Sequence, residues 1–219
     1  KNDIGYFIYT GGNDSMDTVY KLSLYCKENN IDDIKVMGAP KTIDNDLGET
    51  DHCPGFGSAA KFIATAFTEI ACDCFVYDVP SVTIVEVMGR NAGWITAASA
   101  LAREKKGDAP HLIYLPERPF REEEFLEDVK RLYEELGGVV VVASEGLKKE
   151  NGEPIVPPIF RSGRSVYYGD VGAYLAELVI RKLGIKARSE KPGICGRASI
   201  PLQSAVDREE AVLAGRTAL

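Results

Sequence analysis

The sequence Val-Val-Val-Val-Ala at residues 139–143 contains no polar side chain. β-Branched residues favour strands, and a strand without polar positions is buried on both faces, as the central strands of parallel sheets are. Other short apolar runs occur at residues 4–9, 34–37, 82–88 and 111–115, and helical patterns separate them. This alternation predicts parallel βαβ units, and therefore an α/β fold in which helices cover both faces of a parallel sheet as a three-layer sandwich.

Apolar residues at helical spacing predict helices at residues 15–29, 57–74, 95–106, 122–136 and 166–183. Residues 148–163 contain three prolines and two glycines between periodic segments, which predicts a long surface loop. In parallel α/β sheets, ligands bind at the carboxyl ends of the strands. We therefore expect the functional residues directly after residues 10, 39, 87 and 143.

The composition, with 45% hydrophobic and 27% charged residues among 219, is that of an ordinary globular protein. A net charge of -7 without a long Lys/Arg block argues against a nucleic-acid-binding surface. No segment approaches the roughly 20 apolar residues of a membrane span, and no signal-peptide pattern is present. The odd count of five cysteines is typical of free thiols in a reducing compartment, and only two histidines argue against zinc or triad chemistry. We therefore expect a cytoplasmic protein that binds small molecules, and neither nucleic acid nor a membrane.

The segment Lys-Thr-Ile-Asp-Asn-Asp at residues 41–46 follows an apolar run and Pro40. Lys41 can hold a phosphate group while the carboxylate of Asp44 takes a proton from a hydroxyl group. These are the two tasks that a small-molecule kinase performs side by side. The alternative is that the segment is a solvated turn without a chemical role.

The segment Gly-Gly-Asn-Asp-Ser at residues 11–15 joins a predicted strand to a predicted helix. Glycines let the backbone approach a ligand closely, and the N–H groups of a first helical turn attract anions. The segment therefore favours a phosphate site, although Asp14 or Ser15 could equally be an ordinary N-cap.

Three arginines and one glutamate are further candidates for the site. Arg90 can spread the charge of a transferring phosphoryl group, or alternatively form an ion pair with Glu86. Glu145 follows the buried strand, where a carboxylate is costly unless it binds something such as sugar hydroxyls. Arg188 and Arg197 flank a short apolar segment and could clamp a remote phosphate, or be solvated.

These motifs resemble those of the phosphofructokinases. The resemblance lies in four segments, which are residues 11–15, Pro-Lys-Thr-Ile-Asp-Asn-Asp at 40–46, Val-Glu-Val-Met-Gly-Arg-Asn-Ala-Gly-Trp at 85–94 and Ser-Glu-Gly at 144–146. The match is looser from residue 184 onward. The resemblance implies two interleaved Rossmann-like lobes, of which the first is incomplete here. It assigns residues 1–55 to a donor-phosphate lobe, residues 56–194 to a sugar-phosphate lobe and residues 195–219 to a segment that returns to the first lobe.

The resemblance also implies a reaction, the transfer of a phosphoryl group to the 1-hydroxyl of fructose 6-phosphate. Asp44 resembles the general base, Thr42 and Asp46 resemble its partners, and Arg90 resembles the residue that stabilises the transition state. Arg197 resembles a 6-phosphate ligand and Arg188 one supplied across a subunit interface, so a homo-oligomer is implied. The implied ligands are Gly11, Gly12, Asn13, Asp14, Ser15 and Lys41 for the donor, and Thr42, Asp44, Met88, Gly89, Arg90, Glu145, Arg188 and Arg197 for the sugar phosphate.

Asp14 and Lys41 resemble the pyrophosphate-dependent branch of the family. ATP-dependent members usually carry glycine at both positions, which leaves room for the α-phosphate of the nucleotide. Here a carboxylate fills that space, and the ammonium group can neutralise pyrophosphate. The expected product is fructose 1,6-bisphosphate, in a reaction expected to be reversible because pyrophosphate carries little more driving force than the product ester. Two alternatives stay open, an ATP-dependent enzyme and a non-catalytic regulatory subunit that binds sugar phosphates.

The family also implies Mg²⁺ as a cofactor. Asn13 stands where many members have an aspartate near the metal, so the ion could depend on donor oxygens, water or other carboxylates. The resemblance also implies that the first glycine-rich strand-loop of the family and its closing segment are missing from these 219 residues. We therefore expect the 219-residue piece to be inactive by itself.

Overall fold

The computed structural model of the chain describes residues 3–162 and 165–219. Within these residues, no helix is both long enough and apolar enough to cross a membrane. The strands are β1 (Tyr6–Gly11), β2 (Lys35–Pro40), β3 (Ser81–Val87), β4 (Leu112–Tyr114), β5 (Gly138–Ser144), β6 (Pro158–Ser162), β7 (Ser165–Tyr168) and β8 (Ala187–Glu190). The helices are α1 (Asn13–Glu28), α2 (Phe56–Phe75), α3 (Trp94–Ala98), α4 (Glu122–Leu136), α5 (Val171–Leu183), α6 (Cys195–Ala198) and α7 (Ala205–Thr217).

A four-stranded parallel sheet with the strand order β4-β5-β3-β8 lies at the centre of the fold. Every residue of β5 is buried, as the apolar run predicts, because helices cover both faces of the sheet. On one face Val139 and Val141 pack with residues of α4 and α5, and on the other face Val140 and Val142 pack with residues of α2 and α3. Burying a valine contributes roughly 1.5–3 kcal/mol relative to leaving it exposed. The predicted α/β sandwich is confirmed.

The strands β1 and β2 form a separate two-stranded parallel sheet, with Thr10 opposite Ala39 and Gly11 opposite Pro40. Helix α1 contacts both strands. Parallel strands end at the same edge of a sheet, so the loops after β1 and β2 emerge side by side. The N–H of Lys41 donates a hydrogen bond to the carbonyl of Gly11 at 3.0 Å and joins the two loops.

The structure differs from two predictions between residues 148 and 183. The predicted loop contains β6, and the first residues of the predicted helix form β7, which pairs with β6 in antiparallel fashion. The reason is that the Val-Tyr-Tyr sequence at residues 166–168 favours extended backbone, whereas α5 starts only after Asp170, whose side chain caps the helix. Residue 163, the last of the predicted loop, lies outside the described residues.

The helix predicted for residues 95–106 is shorter in the structure, where α3 continues as a 3₁₀ turn that ends at Ala102. The carboxylate of Asp108 accepts hydrogen bonds from the backbone N–H groups of Glu104 and Lys105 at 3.0 and 2.7 Å. These two N–H groups therefore have hydrogen-bond partners without being part of a helix, and the helix ends before them.

Candidate active site

A cavity of about 480 Å³ opens where the loops after β1, β2, β3 and β5 meet. These loops follow the carboxyl ends of parallel strands, the edge at which α/β proteins bind ligands. Most of the side chains in its wall are polar. The residues that line it are Gly12, Asn13, Asp14, Ser15, Thr42, Asp44, Asp46, Arg90, Asn91 and Glu145.

The loop after β2 is held in place at Thr42. Thr42 is buried, and its hydroxyl oxygen accepts a hydrogen bond from the N–H of Asp44 at 3.1 Å. The backbone of Thr42 also forms an isolated parallel bridge with Gly55, just before α2. Asp44 and Asp46 are therefore presented to the cavity from a backbone that is fixed from two sides.

Asn45 fixes the same loop from within. It is buried and has a φ of 53°, in the left-handed region that asparagine tolerates better than most residues. Its side-chain oxygen accepts a hydrogen bond from the N–H of Cys53 at 2.8 Å, and its amide donates to the carbonyl of Asp51 at 3.4 Å. Asn45 therefore ties the loop after β2 to the segment that leads into α2.

The carboxyl group of Asp44 is half-buried among charges of both signs. Burial raises its pKa, and the neighbouring carboxylates of Asp46 and Glu145 raise it further. The charges of Arg90 and Lys41 oppose this and lower the pKa by smaller amounts. A carboxylate with a raised pKa is a stronger base, which suits the removal of a proton from a hydroxyl group.

The loop after β3 is fastened to the loop after β5. The hydroxyl of Ser144 donates to the carbonyl of Gly89 at 2.7 Å, and Oε1 of Glu145 accepts from the N–H of Gly89 at 3.4 Å. Gly89 has a φ of 117°, which side chains rarely permit. A Cβ at Gly146 would lie 1.7 Å from the carbonyl oxygen of Arg90, so this approach requires glycine. The two loops thereby bring Arg90 and Glu145 to one cavity.

Arg90 contacts an aromatic ring that the sequence did not suggest. Its guanidinium carbon lies 5.0 Å from the centre of the Tyr168 ring, within the range of a cation–π interaction. The alternative ion pair with Glu86 is not formed. The buried Glu86 instead contacts the Nζ of Lys191 and accepts from the N–H of Gly172 at 2.9 Å. The charge of Arg90 is therefore stabilised by an aromatic face and is not neutralised by Glu86.

The turn at residues 11–15 leaves a helix start at the cavity. Helix α1 begins at Asn13 with Gly12 as its N-cap, and no side chain in the described part of the chain caps it. The alternative in which Asp14 or Ser15 is the N-cap is therefore wrong, since both lie inside the first turn. Backbone N–H groups without such a cap are what a phosphate site at a helix start requires.

Three predicted cationic ligands lie outside this cavity. Lys41 and Arg197 line a larger neighbouring cavity of about 630 Å³. Arg188 lies on β8, where it forms an ion pair with Asp73, and its Nε donates to the hydroxyl of Thr83 at 3.3 Å. The geometry thus brings together the residues predicted for the transfer itself. It separates them from Lys41, which was predicted to bind the donor, and from the arginines predicted for the sugar phosphate.

Three further predicted residues lie beside the cavity and not in its wall. Gly11 is buried at the end of β1, and the N–H of Gly89 donates a hydrogen bond to the side chain of Glu145. Met88 packs against the apolar cluster of α2 and α3. They support the loops that carry the lining residues.

Sequence reasoning missed Asn45, Asn91 and Tyr168. Asn45 and Asn91 stand inside quoted motifs, so their position beside Asp44 and Arg90 was the signal that could have found them. Tyr168 had no such signal, because its place depends on the pairing of β6 with β7.

Residues 3–162 and 165–219 contain no group of three or more His, Cys, Asp or Glu that could hold a metal ion. The cavity does offer the carboxylate of Asp46, which accepts a hydrogen bond from the amide of Asn13. Mg²⁺ usually keeps several waters and is bound through one or two carboxylates and the phosphates of the substrate. The residues fit that kind of site and do not fit a closed protein cage.

The whole chain, residues 1–219, matches the family described as Phosphofructokinase. The chain belongs to the phosphofructokinase family. The motifs that line the cavity are the ones on which the resemblance rested, so the family assignment and the geometry agree.

This chain is similar to the pyrophosphate–fructose 6-phosphate 1-phosphotransferase of Rhodospirillum rubrum, with 42% identity over 228 residues that cover 100% of this chain and 55% of the relative. Among solved structures, the pyrophosphate-dependent phosphofructokinase from Marinobacter aquaeolei matches with a TM-score of 0.79 and 40% identity, over 99% of this chain and 51% of that one. The pyrophosphate-dependent phosphofructokinase from Nitrosospira multiformis matches with a TM-score of 0.82 and 36% identity, over 98% and 51%. The chain therefore spans about half the length of the relatives that it matches.

Proposed function

We propose that this phosphofructokinase chain is part of an enzyme that transfers a phosphoryl group from pyrophosphate to the 1-hydroxyl of fructose 6-phosphate. The products are fructose 1,6-bisphosphate and orthophosphate. The observation that carries the proposal is the single cavity lined by Thr42, Asp44, Asp46, Arg90 and Glu145. The names of relatives at 42% and 40% identity, both of which specify pyrophosphate, support it.

In the proposed reaction, the carboxylate of Asp44 takes the proton of the 1-hydroxyl while the sugar oxygen forms a bond to phosphorus. The bond between that phosphorus and the bridging oxygen of pyrophosphate breaks, and orthophosphate leaves with the electron pair. The raised pKa of Asp44 supports its role as the base. Arg90 stabilises the charge that develops on the transferring group, and Thr42 and Asp46 hold base and phosphoryl group in line.

The substrate ligands are proposed along the same lines. Residues 11–15 and Lys41 hold the donor, and Glu145 accepts hydrogen bonds from sugar hydroxyls beside Met88 and Gly89. Arg197 is proposed to bind the 6-phosphate. Arg188 is proposed to serve a neighbouring subunit of a homo-oligomer, and its position in a cavity beside the exposed Tyr77 and Val79 supports this.

The proposed preference for pyrophosphate rests on Asp14 and Lys41. Asp14 lines the cavity, where its carboxylate would repel the α-phosphate of ATP. Lys41 lines the neighbouring cavity, but its charge lowers the pKa of Asp44, which supports a position near the transferring group. Because Lys41 and Asp14 line different cavities, the ammonium group of Lys41 would contribute less to pyrophosphate binding, and this observation favours the second candidate, an ATP-dependent phosphofructokinase.

A donor assay separates these two candidates. It uses the long form, which we define as this chain together with the flanking regions by which the relatives exceed it. Asp14→Gly combined with Lys41→Gly is expected to raise the rate with ATP relative to the rate with pyrophosphate. An unchanged ratio would refute the donor proposal. The single variant Lys41→Gly is the matched control that measures whether the lysine takes part.

We propose that residues 1–55 and 195–219 belong to a donor lobe and residues 56–194 to a sugar-phosphate lobe. The separate β1–β2 sheet and the contact of α7 with β2 support this division. Since only part of the donor lobe would then be present, we propose that the 219-residue chain is inactive by itself. Turnover by the purified 219-residue chain would contradict this.

Magnesium is the proposed cofactor, with Asp46 and Asn13 on the protein side. When bound, the ion would neutralise the charge of the donor phosphates. The residues of the chain, and not the ion, would orient the sugar and move the proton. Removal of divalent ions with EDTA is expected to abolish turnover of the long form, and added Mg²⁺ is expected to restore it.

The reaction is proposed to be reversible and to take place in the cytoplasm. The long form is therefore expected to produce pyrophosphate from fructose 1,6-bisphosphate and orthophosphate. The location is supported by the five cysteines of the chain, all of which are free thiols, as is usual in a reducing compartment.

A further inference from the structure

A buried carboxylate on α7 caps a different helix. Asp207 lies in the first turn of α7, and its Oδ1 accepts a hydrogen bond from the N–H of Gly55 at 2.9 Å. Its Oδ2 accepts from the N–H and from the hydroxyl of Ser58, both at 2.5 Å. The hydroxyl oxygen of Ser58 accepts in turn from the N–H of Ser204 at 2.9 Å. Helix α2 has Gly55 as its N-cap residue and so has no side-chain cap there, and Asp207 supplies one from outside.

The segment that Asp207 holds also supports the loop after β2. Gly55 forms its parallel bridge with Thr42, whose hydroxyl oxygen accepts from the N–H of Asp44. Thr42 and Asp44 line the cavity, whereas Asp207 lines the neighbouring cavity of Lys41 and Arg197. A short series of hydrogen bonds therefore joins Asp207 to the backbone of the proposed general base.

Helix α7 holds the same segment at a second point. The Nε2 of His52 lies 2.5 Å from Oε2 of Glu210, one helical turn after Asp207. The next residue, Cys53, donates its N–H to the side chain of Asn45, between the two proposed catalytic carboxylates. Two adjacent contacts on α7 thus lead to two adjacent positions of the same loop.

We infer that Asp207 is a positioning residue for the phosphoryl transfer, which it supports through Gly55 and Thr42. The inference rests on the proposed function. A buried carboxylate is costly to desolvate, and the three hydrogen bonds that Asp207 accepts offset this cost. What the carboxylate adds is a fixed position for the start of α2 and for the loop bridged to it. A misplacement of a catalytic group by about 1 Å can lower a rate by about 10²-fold.

Hydrogen exchange on the 219-residue chain tests the positioning without any need for turnover. Asp207→Asn keeps the size of the side chain but replaces an acceptor oxygen by an N–H₂ group. It is expected to speed the exchange of the amides at residues 42–46 by about tenfold, because the loop opens more often. Ser58→Ala, which removes one of the three bonds, is expected to have a smaller effect in the same direction. Asp170→Ala is the matched control, because it removes the N-cap of α5, where Asp170 accepts from Ala173 at 2.8 Å, and is expected to leave residues 42–46 unchanged.

Kinetics on the long form supply the second readout. Asp207→Asn is expected to lower kcat about tenfold and to change the KM for fructose 6-phosphate by less than about twofold. Asp170→Ala is expected to leave both values near those of the wild type. The inference would be overturned if Asp207→Asn left the exchange at residues 42–46 unchanged, or if it lowered kcat/KM only by raising KM. If the wild-type long form lacks phosphotransferase activity, the proposed function fails, and the exchange experiment alone decides the role of Asp207.

Discussion

The side-chain amide of Asn13 donates a hydrogen bond to the carboxylate of Asp46, so the first turn of α1 is tied to the loop after β2. Both residues line the cavity. A neutral amide here leaves the carboxylate without a second negative neighbour on this side. The contact therefore joins the proposed donor side to the proposed catalytic loop without adding a further negative charge to the cavity.

Asn13→Asp should make the chain responsive to Mg²⁺. The substitution replaces the hydrogen bond by two facing carboxylates, which is expected to lower the free energy of unfolding by about 1 kcal/mol at this exposed site. Two carboxylates also suit Mg²⁺, so millimolar Mg²⁺ is expected to recover the loss. Thermal unfolding with and without Mg²⁺ measures this, and Asn13→Ser, which stays neutral, is the control that should not respond. Equal responses of the two variants would contradict the expectation.

Asp44→Asn should stabilise the fold and abolish most of the activity. Burial and the carboxylates of Asp46 and Glu145 raise the pKa of Asp44 in the folded state. The ionised form is therefore disfavoured by folding, and stability is lost as the pH rises from the unfolded value, about 3.9, through the folded pKa. Asp44→Asn removes this loss, so its melting temperature should exceed that of the wild type at neutral pH. In the long form, turnover should fall by roughly 10²–10⁴-fold while sugar binding persists.

The matching control for this prediction is Asp33→Asn, which removes one negative charge from an exposed position. The gain in stability of Asp44→Asn over this control should vanish below about pH 3, where Asp44 of the wild type is protonated in both the folded and the unfolded state. A gain that is independent of pH would mean that the ionised carboxylate is not the source of the instability.

Tyr168 should affect how strongly Arg90 stabilises the charge of the proposed transition state. The ring lies 5.0 Å from the guanidinium carbon, and a cation–π contact of this kind is worth about 0.5–1 kcal/mol. Tyr168→Leu should therefore lower kcat of the long form by about two- to fivefold. Tyr168→Phe keeps the aromatic face and should retain the activity. Equal losses in both variants would assign the effect to the hydroxyl group.

His111 should make stability depend on pH near neutrality. Its Nδ1 accepts the N–H of Val140 at 2.9 Å, which requires an unprotonated nitrogen. Burial is the main cause that lowers the pKa of His111, and the charge of Arg103 lowers it further. Hydrogen bonding with the backbone of Gly107 and the charge of Asp108 oppose this. The contribution of His111 to stability is therefore fully present above its pKa in the unfolded state, about 6.5, and is lost as the pH falls through its pKa in the folded state.

The measurement compares His111→Leu with its parent by chemical unfolding, both in a His52→Gln background, so that His111 is the remaining histidine. The difference in free energy of unfolding should shrink as the pH falls from about 7.5 to about 5. A difference that stays constant over this range would show that protonation of His111 is not linked to unfolding.

Much of the fold could be predicted because the signals were local. The apolar run at residues 139–143 requires helices on both faces of its strand, and the structure supplies them. The motifs at 11–15 and 41–46 meet because parallel strands end at one edge, which follows from topology alone.

The remaining features depend on contacts between distant parts of the chain. Residues 166–168 fit a helical pattern when joined to α5, but pairing with β6 makes them a strand and brings Tyr168 to Arg90. The sequence also gave no sign that Lys41 would line a cavity next to the one that Asp14 lines. Asp207 has the pattern of a solvated helix residue, and only the position of α7 against α2 buries it.

The most direct test is the initial rate of the long form with fructose 6-phosphate and either pyrophosphate or ATP, measured for the wild type and for Asp44→Asn. We expect turnover with pyrophosphate to exceed turnover with ATP, and the Asp44→Asn variant to lose roughly 10²–10⁴-fold of it. A rate with ATP equal to or above that with pyrophosphate, or full activity of Asp44→Asn, would contradict the account.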